Sequence, residues 1–191
     1  MDTGEYMKAD RLNAFYDAII AIIVTILVLE LPQPEVLSIA GLWQLKLSYL
    51  AYIISFLVCV NMWQYHHKIF NHVNKINNRI IWLNILLMLI VSIIPYLTLL
   101  VADNFNSALA QMLYGIDFIL VDIILFVFAY SLLKHNPESE YLKNAINVKY
   151  TLIIPLGLFF IGFIIAFMGY PPAISILCLL TVVSSIINDI K

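Results

Sequence analysis

Charge is what this sequence has least of. Its 191 residues include 10 Lys and Arg and 12 Asp and Glu, which makes 12% charged against 63% hydrophobic. A soluble domain carries about 25% charged residues. So few charges cannot cover so much apolar side chain in water, so lipid must be the solvent for most of the chain. Cysteine is also scarce. Cys59 and Cys178 both fall in apolar runs and read as small buried hydrophobes, which argues against a disulfide framework or a thiolate metal site. There is no phosphate-binding glycine loop, no Thr-Val-Gly-Tyr-Gly filter, no arginine-rich voltage-sensor helix and no catalytic constellation. An enzyme, a metal site and a bound cofactor are therefore not expected. A formal net charge of -2 offers no surface to nucleic acid.

What is present is a series of long apolar runs. Backbone groups in hydrocarbon must be satisfied within their own segment, so such runs are read as helices. Six are expected, at about 12–31, 42–64, 79–101, 107–133, 148–168 and 172–187. Pro32 and Pro34 end the first, Pro95 kinks the third, Pro155 lies in the fifth and Pro171-Pro172 opens the sixth. The loops are short and composition does not shift, so residues 1–191 are expected to form one all-α integral membrane domain. The first run is too long for the apolar region of a signal peptide, and no cleavage site follows it.

Orientation follows from the basic residues. Lys8 and Arg11 precede the first helix. Lys68, Lys75 and Arg79 lie between the second and third, Lys134, Lys143 and Lys149 between the fourth and fifth, and Lys191 ends the chain. The alternate loops have only Lys46 close by. Both termini are therefore expected in the cytoplasm. Trp43, Tyr49, Trp63, Trp82 and Tyr170 fall near expected helix ends, as interfacial aromatics do.

Ionisable groups at membrane depth need a partner or a watery path. Asp17 lies about two turns into the first helix, with Arg11, His66, His67 and Asn84 as candidate partners on the same side. Asp117 and Asp122 lie in the fourth helix, about 140° apart around its axis. Glu30, at the outer end of the first helix, is either solvated or part of a cation-attracting outer mouth. Adjacent His66 and His67 point to different faces, which argues against a metal pair.

Arg11-x-x-x-Phe15-Tyr16-Asp17, the apolar run to Leu31, Trp63-x-x-His66-His67-x-x-Phe70, and Trp82-Leu83-Asn84 followed by Pro95 together resemble the bacterial branch of the transmembrane-protein-175 family of potassium channels. Tyr16 departs from the pattern, which usually has Ser there. The resemblance implies six-helix subunits assembled as a homotetramer in the bacterial plasma membrane. It implies a central potassium-permeable pore lined by the first helix, narrowed by bulky apolar rings and without the usual filter.

Carried over, the constriction falls on Ile22 and the selectivity layer on Thr25, with Ile26 and Leu29 completing the lining. Arg11, Phe15, Asp17, His66, His67 and Asn84 would form an inner polar network holding the first helix to its neighbours. Helical geometry allows one face to present Ile22, Thr25, Ile26 and Leu29. Asp17 lies about 140° from Ile22, while Arg11 projects within about 20° of it. That position for Arg11 leaves two readings open: an irregular helix start, or a long side chain reaching sideways. The alternative function is a proton-coupled secondary transporter using Asp17, Asp117 and Asp122. The expected partners are potassium ions, membrane lipid and further copies of the chain.

Overall fold

A computed structural model describes residues 9–73, 76–146 and 148–190. Lys8, Lys75 and Lys191, used above for orientation, lie outside the described residues. The described chain is helical: α1 Ala9–Leu29, α2 Ile39–Gln44, α3 Lys46–Phe70, α4 Asn78–Val91, α5 Ile94–Asp103, α6 Ala108–His135, α7 Glu140–Ala145, α8 Ile154–Phe167 and α9 Ala173–Ile190. A π-helical turn, Lys149–Ile153, leads into α8.

Asp10–Leu29, Lys46–Phe70, Asn78–Asp103 and Ala108–His135 are long and apolar enough to cross a membrane, and Thr151–Phe167 and Ala173–Ile187 are shorter apolar helices. Proline sets both irregularities. Pro95 has no N–H to offer and its ring crowds the preceding turn, so the span Asn78–Asp103 breaks at Ser92–Ile93 into α4 and α5. Pro155, near the start of α8, follows the π turn in the same way.

Local chemistry sets several ends. Asn77 caps α4 by accepting the Ile80 N–H at 2.9 Å, and Ser107 caps α6 by accepting from Ala110. At the end of α8, Gly169 takes a positive φ of 103°. Its N–H bonds the Ala166 carbonyl while Tyr170 N–H bonds that of Ile165, which closes the helix and turns the chain toward α9.

Helix α6 is the centre of the bundle, packing on α4, α5, α8 and α9. Helix α1 lies against α3, α4 and α5. The core is continuous, from Leu12 and Tyr16 on α1 through Ile54 and Cys59 on α3 and Leu87 on α4 to Phe128 on α6 and Cys178 on α9.

Candidate functional site: the outward face of the first helix

Helix α1 has two faces of different fate. Leu12, Tyr16, Ile20, Ile23 and Leu27, spaced by four, four, three and four, are buried in the bundle. Arg11, Phe15, Ala18, Ile22, Thr25 and Leu29, spaced by four, three, four, three and four, are exposed. The second spacing is that of a seam between packed helices. On it, Ile22 is 57% exposed and Leu29 80% exposed, and Ile26 flanks them. A subunit that leaves such a stripe uncovered presents it to lipid or to other copies of itself.

The four residues expected to line a path therefore share one uncovered face. Thr25, its one hydroxyl-bearing member, donates its Oγ1–H to the Ile22 carbonyl at 2.7 Å. That bond leaves the oxygen lone pairs as what the residue presents outward. Arg11 lies on the same stripe. Helix α1 is regular from Ala9, which removes the irregular-start reading, and Arg11 has no hydrogen-bond or ion-pair partner among the described residues.

Toward the N-terminal end of α1 the expected network resolves into two separate contacts. Asp17 accepts the indole N–H of Trp63 at 2.8 Å, and Trp63 stacks on His67 with ring centroids 5.5 Å apart. The sequence marks Trp63 as an interfacial aromatic and as part of the family motif, without pairing it with Asp17. Helix α3 continues to Phe70, past the expected end at Gln64, so Trp63 lies about 10 Å inside that end. Asp17 lies about 12 Å from the start of α1. In antiparallel helices these depths match.

The second contact is fully buried. His66 Nε2 pairs with Asn84 Oδ1 at 2.9 Å, tying α3 to α4. Tyr16 stacks on the His66 ring with centroids 3.7 Å apart, and Phe128 and Phe70 flank it at 5.0 and 5.1 Å. Tyr16 therefore holds α1 by ring packing, and its hydroxyl has no partner among the described residues. Two of the six expected members stay outside both contacts. Phe15 is 53% exposed and belongs to the outward stripe, as does Arg11.

Glu30 is exposed just past the C-terminal end of α1 and borders a small crevice with Ser48, Tyr52 and Thr98. Deeper in the bundle, Ser55 bonds Thr98 at 2.6 Å and Tyr114 at 2.7 Å, so three hydroxyls join α3, α5 and α6. Ser175 donates to Gln111 Oε1 at 2.7 Å, joining α9 to α6. No periodicity signals these bonds in the sequence. Asp117 is buried and its Oδ2 has no partner among the described residues, whereas Asp122 borders a cavity that Asp17 and Asp117 do not line.

Long apolar helices packed around interhelical hydroxyl and amide pairs, with one helix face turned outward, define a multi-pass membrane protein. A family profile described as "Endosomal/lysosomal potassium channel TMEM175" matches residues 11–95, from Arg11 through Pro95. A potassium channel of Chryseobacterium sp. (strain P1-3) is 34% identical over 165 residues, covering 86% of this chain and 85% of that protein. A potassium channel of Streptomyces collinus is 34% identical over 100 residues, covering 50% and 48%. The crystal structure of a lysosomal potassium-selective channel TMEM175 homolog from Chamaesiphon minutus superposes with a TM-score of 0.82. It is 25% identical, over 96% of this chain and 98% of that one. The chain belongs to the TMEM175 family of potassium channels and is a multi-pass protein of the cell membrane.

Proposed function

We propose that this chain is the subunit of a homotetrameric, potassium-permeable cation channel whose axial path is enclosed by four copies of α1. Six crossings with both termini in the cytoplasm accord with the distribution of Lys and Arg. The observation that carries the reading is the uncovered stripe at four-three spacing on α1, apolar except for Arg11 and Thr25.

In this arrangement the Ile22 side chains form the neck. Rings of branched apolar side chains exclude water when close together, and a pore without water does not conduct. Ile26 and Leu29 extend the apolar wall outward. Thr25 offers four hydroxyl oxygens, each with its proton held by the Ile22 carbonyl, in place of part of an ion's hydration shell. Glu30 sets a negative charge at the outer mouth. The Asp17–Trp63 and Tyr16–His66 contacts hold the inner half of α1 against the subunit.

Reconstitution in liposomes tests the reading. Currents that reverse toward the potassium equilibrium potential in opposed potassium and sodium gradients are expected, from a particle with the native mass of four chains. Saturating flux that requires a proton gradient would overturn it in favour of a transporter using Asp17, Asp117 and Asp122.

A further inference from the structure

Asn61 on α3, Asp122 on α6 and Thr181 on α9 converge on a cavity of about 50 Å³ to which α1 contributes nothing. Asp122 stands at the midpoint of α6, so the cavity is deep in the apolar layer. Its remaining walls are apolar and buried, Phe118, Leu125, Phe159 and Val182 among them. Asn61, Asp122 and Thr181 are only partly buried whereas these walls are buried, so the cavity is open at its polar end.

Each of the three polar residues has an oxygen acceptor to offer. Thr181 donates its hydroxyl proton to the Cys178 carbonyl at 2.6 Å, which leaves its oxygen lone pairs available. Asn61 and Asp122 have no hydrogen-bond or ion-pair partner among the described residues. No Lys, Arg or His among the described residues lines the cavity. One formal negative charge, two neutral oxygens and no cationic side chain make up a set whose missing member is one positive charge. An unpaired carboxylate in an apolar layer is costly, and a bound cation removes that cost.

Charge and size narrow the ligand. Divalent sites gather several carboxylates within a shell of six or more oxygens. No group of three His, Cys, Asp or Glu side chains with metal-binding geometry occurs among the described residues. A water needs about 10–15 Å³, so this space takes a small ion with about two waters. We propose that the cavity is an off-axis site for a monovalent cation of potassium or ammonium size, bound by Asp122 with Asn61 and Thr181 as neutral oxygen ligands. An ion there ties α3, α6 and α9 together without lying on the path enclosed by α1. The site stands whether or not α1 lines a pore.

Thallium(I), an electron-dense ion of similar size, is the probe. Crystals of the intact protein soaked in thallium are expected to show anomalous density between Asn61, Asp122 and Thr181. In Asp122→Asn that density disappears while thallium elsewhere remains. In detergent, potassium should raise the melting temperature of the wild type over choline, a larger organic cation. That increment should fall by at least half in Asp122→Asn, and also in Asn61→Leu, which retains the carboxylate if the first variant folds poorly. Three results would overturn the site: no density in the cavity of wild-type crystals, equal potassium stabilisation in all three proteins, or stabilisation that follows pH and ignores potassium. The last would mean that a proton and water fill the space.

Discussion

Tyr16 lies flat on His66, with ring centroids 3.7 Å apart and planes 13° from parallel. This stack fastens α1 to α3. Its strength is in the ring, since the hydroxyl has no partner among the described residues. Tyr16→Phe should therefore leave stability unchanged or raise it. Tyr16→Ser should remove the stack, worth about 1 kcal/mol, and open a cavity, for a total loss of about 3–4 kcal/mol. Thermal unfolding of the detergent-solubilised protein checks both, and a Phe variant as unstable as the Ser variant would refute the ring assignment.

The Asp17–Trp63 bond predicts a coupling. Trp63→Phe keeps an aromatic ring beside His67 and loses the indole N–H. Asp17→Ala loses the acceptor. The two changes should be non-additive by about 1–2 kcal/mol in a double-mutant cycle. Additive losses would mean that the bond does not hold α1.

For the axial path, Ile22→Asn should raise resting conductance severalfold by letting water into the neck. Thr25→Ala should move the potassium-to-sodium permeability ratio toward one, while Thr25→Ser, which can make the same bond to the Ile22 carbonyl, should keep most of it. Single-channel recording reads both. Unchanged values in a folded tetramer would place the neck and the selective layer elsewhere.

Arg11 shares the stripe with Ile22 and has no described partner, so four copies would ring the inner mouth with positive charge. Arg11→Gln should increase cation current entering from the cytoplasmic side. The difference should be largest at low salt and should shrink in 1 M salt, where charges are screened within about 3 Å. A difference independent of ionic strength would mean that Arg11 acts through structure.

Close packing of α6 predicts a contrast between two glycines. A Cβ at Gly115 would lie 2.7 Å from Ile174 Cγ2 and 3.2 Å from Phe163 Cζ, so Gly115→Ala should cost about 1–3 kcal/mol. A Cβ at Gly157 meets nothing within 4 Å, and Gly157→Ala in α8 should be neutral or gain up to about 1 kcal/mol. Melting temperatures in detergent distinguish them.

The apolar runs made the long helices legible, because hydrocarbon leaves the backbone no other way to satisfy its bonds. The ends were less legible. Helix α3 runs through His66, His67 and Lys68 to Phe70, since polar side chains in the last turns do not stop a helix that packs on its neighbours. That extension hid Trp63 as the partner of Asp17. Helices α2 and α7, of six residues each, are too short for periodicity to register. The Ser55–Thr98–Tyr114 bonds draw on residues far apart in the chain, and hydroxyls carry no spacing signal. On α1 the face shared by Ile22, Thr25, Ile26 and Leu29 was legible from the helical angle. That this face is the uncovered one was not, because the helix is apolar all round.

The two faces of α1 are built from neighbouring residues. Arg11 and Leu12, Phe15 and Tyr16, Ile22 and Ile23, and Ile26 and Leu27 each send one side chain outward and the next into the bundle. Twisting the helix enough to exchange Ile22 for Ile23 means turning it by about 100°. That would lift Leu12, Tyr16, Ile20, Ile23 and Leu27 from their sockets at once. Moving α1 together with the helices it is seated on disturbs none of them. In the proposed tetramer the neck should therefore behave as an iris whose blades tilt or slide with whole subunits, and its mechanical stiffness would be that of the seams between subunits.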